Sequence, residues 1–558
     1  MHKLSPIQLG FVSKFLKVMS APATLLRWGA TTTPNFIIRN FVKDQFTAYI
    51  QTKDGMRTTP LQTIKALSQI IGKGKLYREW ERSGGAGGGY YDWSERGANQ
   101  YLEELKNPKG RFFRTLKAIE DTGWKDWRRY ANIALSPATA IVKGWNTAIG
   151  VPSQAIEEAT RLGAFTKAKQ AGLSDLAAAI ESRESTVDFG RGGEISRIIN
   201  RLVPFFNVGL QSANKLYRTA KSNPTAFMFN SLATIAFPSI VITGYYLYGA
   251  PDEERERWLE IPDYVRDNNW CFFYNGELIT FPKPFTVGYM GTAFEDFMIW
   301  GYKGKKTEAR EWWKVVSGMI GSMSPVQTGG SLLTPVGQVA IEAMTNYNFF
   351  RERPIYPNWL EDLPPEERKN KTTSKLGIYI GEKTGMSPAI VDNTIYGLTS
   401  TVGKQAIDLA EGMLDRFKRW NGENVPEKTI ILKDIPFVGA LFGNLPDGTR
   451  SKSYQQFMKD YRKFLQVNTA YKQRSGVDKA KYGQQHTFEI EAFKGVKKKQ
   501  KEIRNIQKEI SRIYDDPRMT AKAKTKAVTE LELSITRKAQ EANEQTADVK
   551  NTYEKNKK

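Results

Sequence analysis

Two stretches of this sequence bring carboxylates and guanidinium groups close together. Glu157, Glu158 and Arg161 share a helical segment, and Arg183, Glu184 and Asp188 cluster before Phe189-Gly-Arg-Gly-Gly193. Paired carboxylates can carry general acid–base catalysis, one giving a proton and the other taking it. The sequence offers no nucleophile or pocket beside them, so ion pairing and helix capping are the better reading. Only His2 and His486 could act as imidazole bases, one terminal and one in a polar stretch. The single cysteine, Cys271, excludes an intramolecular disulfide and supplies too few ligands for a cysteine metal site. The expectation is a non-enzymatic chain with no catalytic residue, cofactor or metal site.

The remaining chemistry is electrostatic. The 558 residues carry 82 Lys plus Arg against 59 Asp plus Glu, a net charge of +23 that points to an anionic partner. Residues 451–558 hold 26 basic against 14 acidic side chains, about half of that excess. Lys494, Lys497, Lys498, Lys499, Lys501 and Arg504 form the densest run and are the candidates for phosphate contact. Aromatics there are too few for a platform that stacks single-stranded bases. Sequence-blind contact with genomic DNA and a solvated helix face both fit.

A second kind of partner is suggested by residues 222–251, which contain no charged side chain and exceed the ~20 residues that cross a bilayer. Phe227, Phe229, Ile235, Phe237, Ile240, Val241, Ile242, Tyr245, Tyr246 and Tyr248 are the membrane candidates, the tyrosines gathering at one end as an interfacial belt would. Asn230, Pro238 and several hydroxyl residues dilute the run, so a helix buried in a protein core fits equally. Another charge-free stretch, 315–341, is broken by Pro325, Pro335 and Gly329-Gly330, which predicts two shorter helices at 315–323 and 336–344. Near the start, Phe11, Val12, Phe15, Leu16 and Val18 are interrupted by Lys14 and Lys17, giving an amphipathic helix rather than a secretory signal.

These residues must be positioned mainly by helices. Proline and glycine punctuation at Pro34, Pro137, Pro152, Pro204, Pro224 and Pro251 marks helix boundaries, and the fold class is all-α with a minor β element. That element is a hairpin at 270–282, where Asn275-Gly276 supplies the positive φ values of a type I′ turn. The glycine-rich 83–92 lacks the Gly-Lys-Ser/Thr of a phosphate loop and reads as a mobile loop. Trp124-Lys-Asp-Trp-Arg-Arg-Tyr130 suits a membrane interface or helix packing. The expected blocks are 1–80, 81–222 with the glycine-rich loop, 223–347 with the hairpin, a proline-rich connector 348–375, a helical block 376–450 and a basic helical hairpin 451–558 turning at 515–520.

Several stretches taken together resemble a known family. Thr33-Pro-Asn-Phe-Ile-Ile-Arg-Asn-Phe-Val-Lys-Asp-Gln45, Glu157-Glu-Ala-Thr-Arg161, Glu184-Ser-Thr-Val-Asp-Phe-Gly190, Val203-Pro-Phe-Phe-Asn207 and Pro282-Lys-Pro-Phe285 are similar to an α-helical domain associated with the large polyvalent proteins of tailed bacteriophages. Their order carries the likeness, from about Thr24 to the C-terminal hairpin. The resemblance implies a protein carried in the virion and delivered with the DNA, and brings no catalytic residues. The chain also looks like the internal virion, or ejection, proteins of short-tailed phages. That likeness implies a homo-oligomeric conduit across the host envelope, working with other ejection proteins and with portal or tail components. The location would then be the virion interior and, after ejection, the host inner membrane or periplasm. A soluble DNA-associated cargo protein that shields the genome from host defences is the alternative. A lytic enzyme of the envelope, using Glu157 or Glu184, is a third.

Overall fold

The structure is a computed structural model. It describes residues 23, 26–27, 29–51, 60–86, 151–186, 199, 203, 206–304, 317, 335–349, 353–356, 360–369, 373–422, 437–516 and 518–557. The amphipathic segment 11–18, the cluster 124–130, the helix expected at 315–323 apart from Ser317, and most of the glycine-rich loop lie outside the described residues.

As expected, the fold is mostly α-helical with little sheet. Along the chain come α1 (Pro34–Gln51), α2 (Pro60–Ile71), α3 (Lys75–Arg82), α4 (Val151–Gln170), α5 (Asp175–Ser185) and α6 (Phe206–Ser222). The continuous helical run α7 (Pro224–Gly249) leads to α8 (Asp252–Leu259), α9 (Asp263–Asn268), β1 (Asn269–Tyr274), β2 (Glu277–Pro282) and α10 (Phe285–Lys303). Next are α11 (Pro335–Thr345), the short strands β3 (Tyr347–Asn348) and β4 (Arg353–Pro354), α12 (Lys375–Thr384) and α13 (Pro388–Trp420). The chain closes with α14 (Lys452–Gln473), α15 (Gly476–Gln485), α16 (Thr487–Asp515) and α17 (Ala521–Lys557). Pro34, Pro60, Pro224, Pro335 and Pro388 each open a helix, where the missing N–H costs nothing. Ser174, Asn223, Ser374 and Ser451 cap theirs by accepting a backbone N–H.

The chain forms two compact units that interleave in sequence: Met1–Phe237, Pro284–Met290 and Arg310–Leu414 in one, Pro238–Lys283, Gly291–Ala309 and Asp415–Lys558 in the other. In the first, α2, α3, α4 and α5 enclose Ile70, Trp80, Leu162, Phe165 and Ala179. Trp80 is fully buried and its indole N–H donates to Ser182 Oγ at 2.9 Å, so the large apolar ring leaves no polar atom unpaired. Gly85 must lack a side chain, because a Cβ there would lie 2.1 Å from Trp80 Nε1.

Part of the stretch read as a connector, 348–375, is packed within this unit. Tyr356 and Leu360 are buried against Ala389, and Tyr356 and Asn346 exchange two hydrogen bonds of 3.0 and 3.1 Å. Pro364 and Pro365 lead into a 3-10 turn at Pro365–Glu367.

In the second unit, β1 and β2 pair antiparallel with Tyr274 opposite Glu277. Asn275 and Gly276 have φ of 49° and 78°, as the I′ turn requires. Trp258 packs beneath the hairpin, its indole N–H donating to Cys271 O at 2.8 Å. At the C-terminus α16 and α17 turn back on each other as expected, but α14 joins them as a third helix. Phe457 and Phe464 from α14 meet Phe493, Val496 and Ile503 from α16 and Ile535 and Ala539 from α17. The Glu260 carboxylate ties α8 to this bundle, accepting from the Ser453 N–H and hydroxyl and from Gln540 Nε2.

Candidate membrane-facing surface and basic stripe

α7 is long and apolar enough to cross a membrane, and only 28% of its most apolar window is buried. Its polarity is inverted. Asn230, Ser231, Ser239 and Thr243 turn inward, while Phe229 (70% exposed), Phe237 (64%), Val241 (50%) and Tyr248 (71%) face outward with Ile240 and Tyr245. Inward residues recur every four positions at Ser231, Ile235, Ser239, Thr243 and Leu247. A plain α-helix would swing such a stripe by about 40° per step. Two π-helical turns, at Leu232–Ala236 and Tyr245–Gly249, each take in an extra residue and hold it on one side. Of the ten candidates, Ile235 and Tyr246 are corrected: both are buried, Tyr246 stacking on Trp258 with ring centroids 5.0 Å apart. Phe227 and Ile242 are half-buried.

α10 repeats this inversion. Thr292 and Glu295 are buried while Phe294 and Phe297 are exposed. Ser239 hydrogen-bonds Glu295, a Cβ on Gly244 would sit 3.6 Å from Met298 Cε, and Tyr248 meets Tyr302 edge-on at 5.6 Å. These pairs rise together in number, so 239–248 and 295–302 run parallel. Beneath them, Lys283 Nζ pairs with Glu295 at 2.7 Å and donates to Arg266 O and Thr292 Oγ1. Trp270 Nε1 donates to Ser239 Oγ at 2.8 Å. The inner face mixes these polar groups with Ile235, Tyr246 and Leu247, while the large side chains on the outer face are apolar or aromatic, a surface unlike that of a water-soluble helix. Sequence reading missed α10 because Glu295 and Asp296 interrupt it; the outward Phe294 and Phe297, three apart, were the available signal.

On α16, Lys494, Lys497, Lys498, Lys501 and Arg504 are exposed, and Lys508 continues the stripe. Lys499 is corrected: it turns to α17 and pairs with Glu541. From residue 494 to 508 the stripe covers about 21 Å of helix, the rise of about six phosphates on one strand of duplex DNA.

The carboxylates read as possible acid and base are held by cations in the first unit. Glu157 pairs with Arg161 at 3.5 Å and Glu184 with Arg218 at 3.1 Å. Buried Arg161 donates from Nε to Thr186 Oγ1 at 2.8 Å, and buried Lys215 donates to Ser185 O and Thr186 O at 3.0 Å. Burial lowers the Lys215 ammonium to about 7. Burial, with Glu157 nearby, raises the Asp44 carboxyl to about 7. Sequence reading missed Asp44 and Lys215, since nothing in spacing shows that α1, α4 and α6 converge. Among the described residues no group of three or more His, Cys, Asp or Glu could hold a metal ion.

An all-helical chain with an inverted apolar helix and a basic bundle fits the class suggested by the resemblance, and the family comparison agrees. Residues 255–438 match the family described as large polyvalent protein associated domain 38, which supports an association with large polyvalent phage proteins. The matched segment includes Pro282-Lys-Pro-Phe285, is about a third of the chain, and leaves the other four quoted stretches outside. No curated protein and no solved structure matches this chain.

Proposed function

We propose that this chain is an internal virion protein delivered with the phage genome, and that it oligomerises into a conduit carrying DNA across the host envelope. The observation that carries the reading is the inverted polarity of α7, whose outward aromatic and aliphatic side chains suit lipid and whose inward hydroxyls and amide suit protein. The family match supports the phage setting, and the exposed α16 stripe supports salt-sensitive phosphate contact. In this reading the chain carries no catalytic step, its partners are further copies, other ejection proteins and portal or tail components, and it moves from the virion interior to the host envelope. The test is to follow the protein in particles and in fractionated host cells before and after ejection. The expected result is its loss from particles and recovery with the inner membrane; retention in spent particles contradicts the proposal.

The α16 stripe also favours a second reading, a soluble cargo protein that coats incoming DNA against host defences. Recovery in the host cytoplasm, bound to DNA and free of membrane, would support it instead.

A further inference from the structure

We infer that α10 is a second lipid-contacting element, and that the C-terminal half of α7 and α10 together form a wedge one leaflet deep. This deepens the proposed function and rests on its claim that α7 meets a membrane. Three observations point to lipid as the occupant. First, both helices carry the same inversion: Ser239, Thr243, Thr292 and Glu295 inward, Val241 and Phe297 outward. Second, the helices are parallel, so their aromatic ends coincide. Tyr248 on α7 meets Tyr302 on α10, with Tyr245 three residues before Tyr248; Arg255 sits 5.8 Å from the Tyr302 ring centre and Lys303 is exposed. A ring of tyrosines with adjacent cations at one level is what the headgroup region selects, whereas a protein partner requires no common level. Third, the eleven helical steps from Phe237 to Tyr248 rise about 16 Å, about half of a hydrocarbon core of about 30 Å. The tyrosine end therefore sits among headgroups, and the Phe237 and Phe294 end points to the bilayer centre.

The buried Lys283–Glu295 pair fits this geometry. It lies on the inner side of α10, paired and hydrogen-bonded, where charge beside a membrane is tolerated.

The test uses the full chain in a Cys271→Ala background, with Val241→Cys, Phe297→Cys or Tyr302→Cys carrying an environment-sensitive fluorophore. Circular dichroism confirms that each variant keeps the helicity of the parent. The labelled proteins are mixed with phosphatidylcholine–phosphatidylglycerol vesicles bearing nitroxides at the headgroup or at mid-chain. The expected result is mid-chain quenching at 241 and 297 and headgroup quenching at 302. If 241 is quenched and 297 is not, the α10 wedge is overturned while membrane contact by α7 stands. If neither is quenched, both fail. A concentration-dependent blue shift at 297 without vesicles means that a second copy covers the face, and overturns lipid as its occupant. In the same assay Phe294→Glu with Phe297→Glu is expected to weaken vesicle partitioning at least about tenfold.

Discussion

Lys283 and Glu295 form a 2.7 Å ion pair with 1% and 6% of their side chains exposed, and on α10 Glu295 stands beside the outward-facing Phe294 and two residues from Phe297. On α10 the Glu295 carboxylate lies inside and the aromatic surface outside. A water-soluble core helix is built the other way round, so the pair and its neighbours define the polarity of the whole surface.

That pair is expected to hold the second unit together. Glu295→Ala strands the buried Lys283 ammonium and should cost about 3–5 kcal/mol. Joint replacement by Lys283→Met and Glu295→Leu should recover most of that stability. Denaturant unfolding of the three proteins checks this, and an unchanged midpoint for Glu295→Ala contradicts it.

In the first unit, the buried Lys215 and the half-buried Asp44 should make stability depend on pH in opposite senses. Lys215 loses its proton in the folded chain near pH 7 but keeps it to about 10.5 when unfolded, so its contribution improves as pH rises through that window. Asp44 stays protonated to about 7 when folded against 3.8 unfolded, so its contribution worsens between those values. Lys215→Met should therefore be most stabilised over the wild type toward pH 7, with the advantage fading toward pH 10. Asp44→Asn should gain on the wild type as pH rises from 4 to 7. Melting temperatures across pH read both.

Glu342 is buried on α11 and accepts hydrogen bonds from Gln338, Asn348 and Asn393 side chains and from the Phe349 N–H. Glu342→Gln turns an N–H₂ toward these donors and should destabilise the first unit by about 1.5–3 kcal/mol. Thermal unfolding followed by circular dichroism tests the expectation.

Replacing Lys494, Lys498, Lys501 and Arg504 by Gln should weaken duplex binding without regard to sequence and flatten its salt dependence. Because the variant neutralises up to four fewer phosphates, the slope of log affinity against log salt should fall by about 3–4. Fluorescence anisotropy across salt concentrations measures it; an unchanged slope removes the stripe from the binding surface.

The hairpin was legible because Asn275-Gly276 leaves a backbone with few alternatives, and α16 because Phe493, Val496 and Ile503 keep helical spacing. α7 was legible as an apolar run, but its orientation was not: Ile235 and Phe237 look alike in sequence, and the π turn at Leu232–Ala236 helps to decide which face of the helix each one joins. α14 falls outside the expected two-helix tail although Tyr454, Phe457, Tyr461 and Phe464 keep helical spacing, because periodicity does not show which helices pack together. The interleaving of the two units lies beyond periodicity altogether, since it depends on which distant helices meet.

Vesicle flotation of the purified full-length chain reads membrane contact by α7 without any label or substitution. The protein is expected to rise with the vesicles, stay there in high salt, and leave only with detergent. A protein that remains at the bottom of the gradient, soluble without detergent, would contradict that contact.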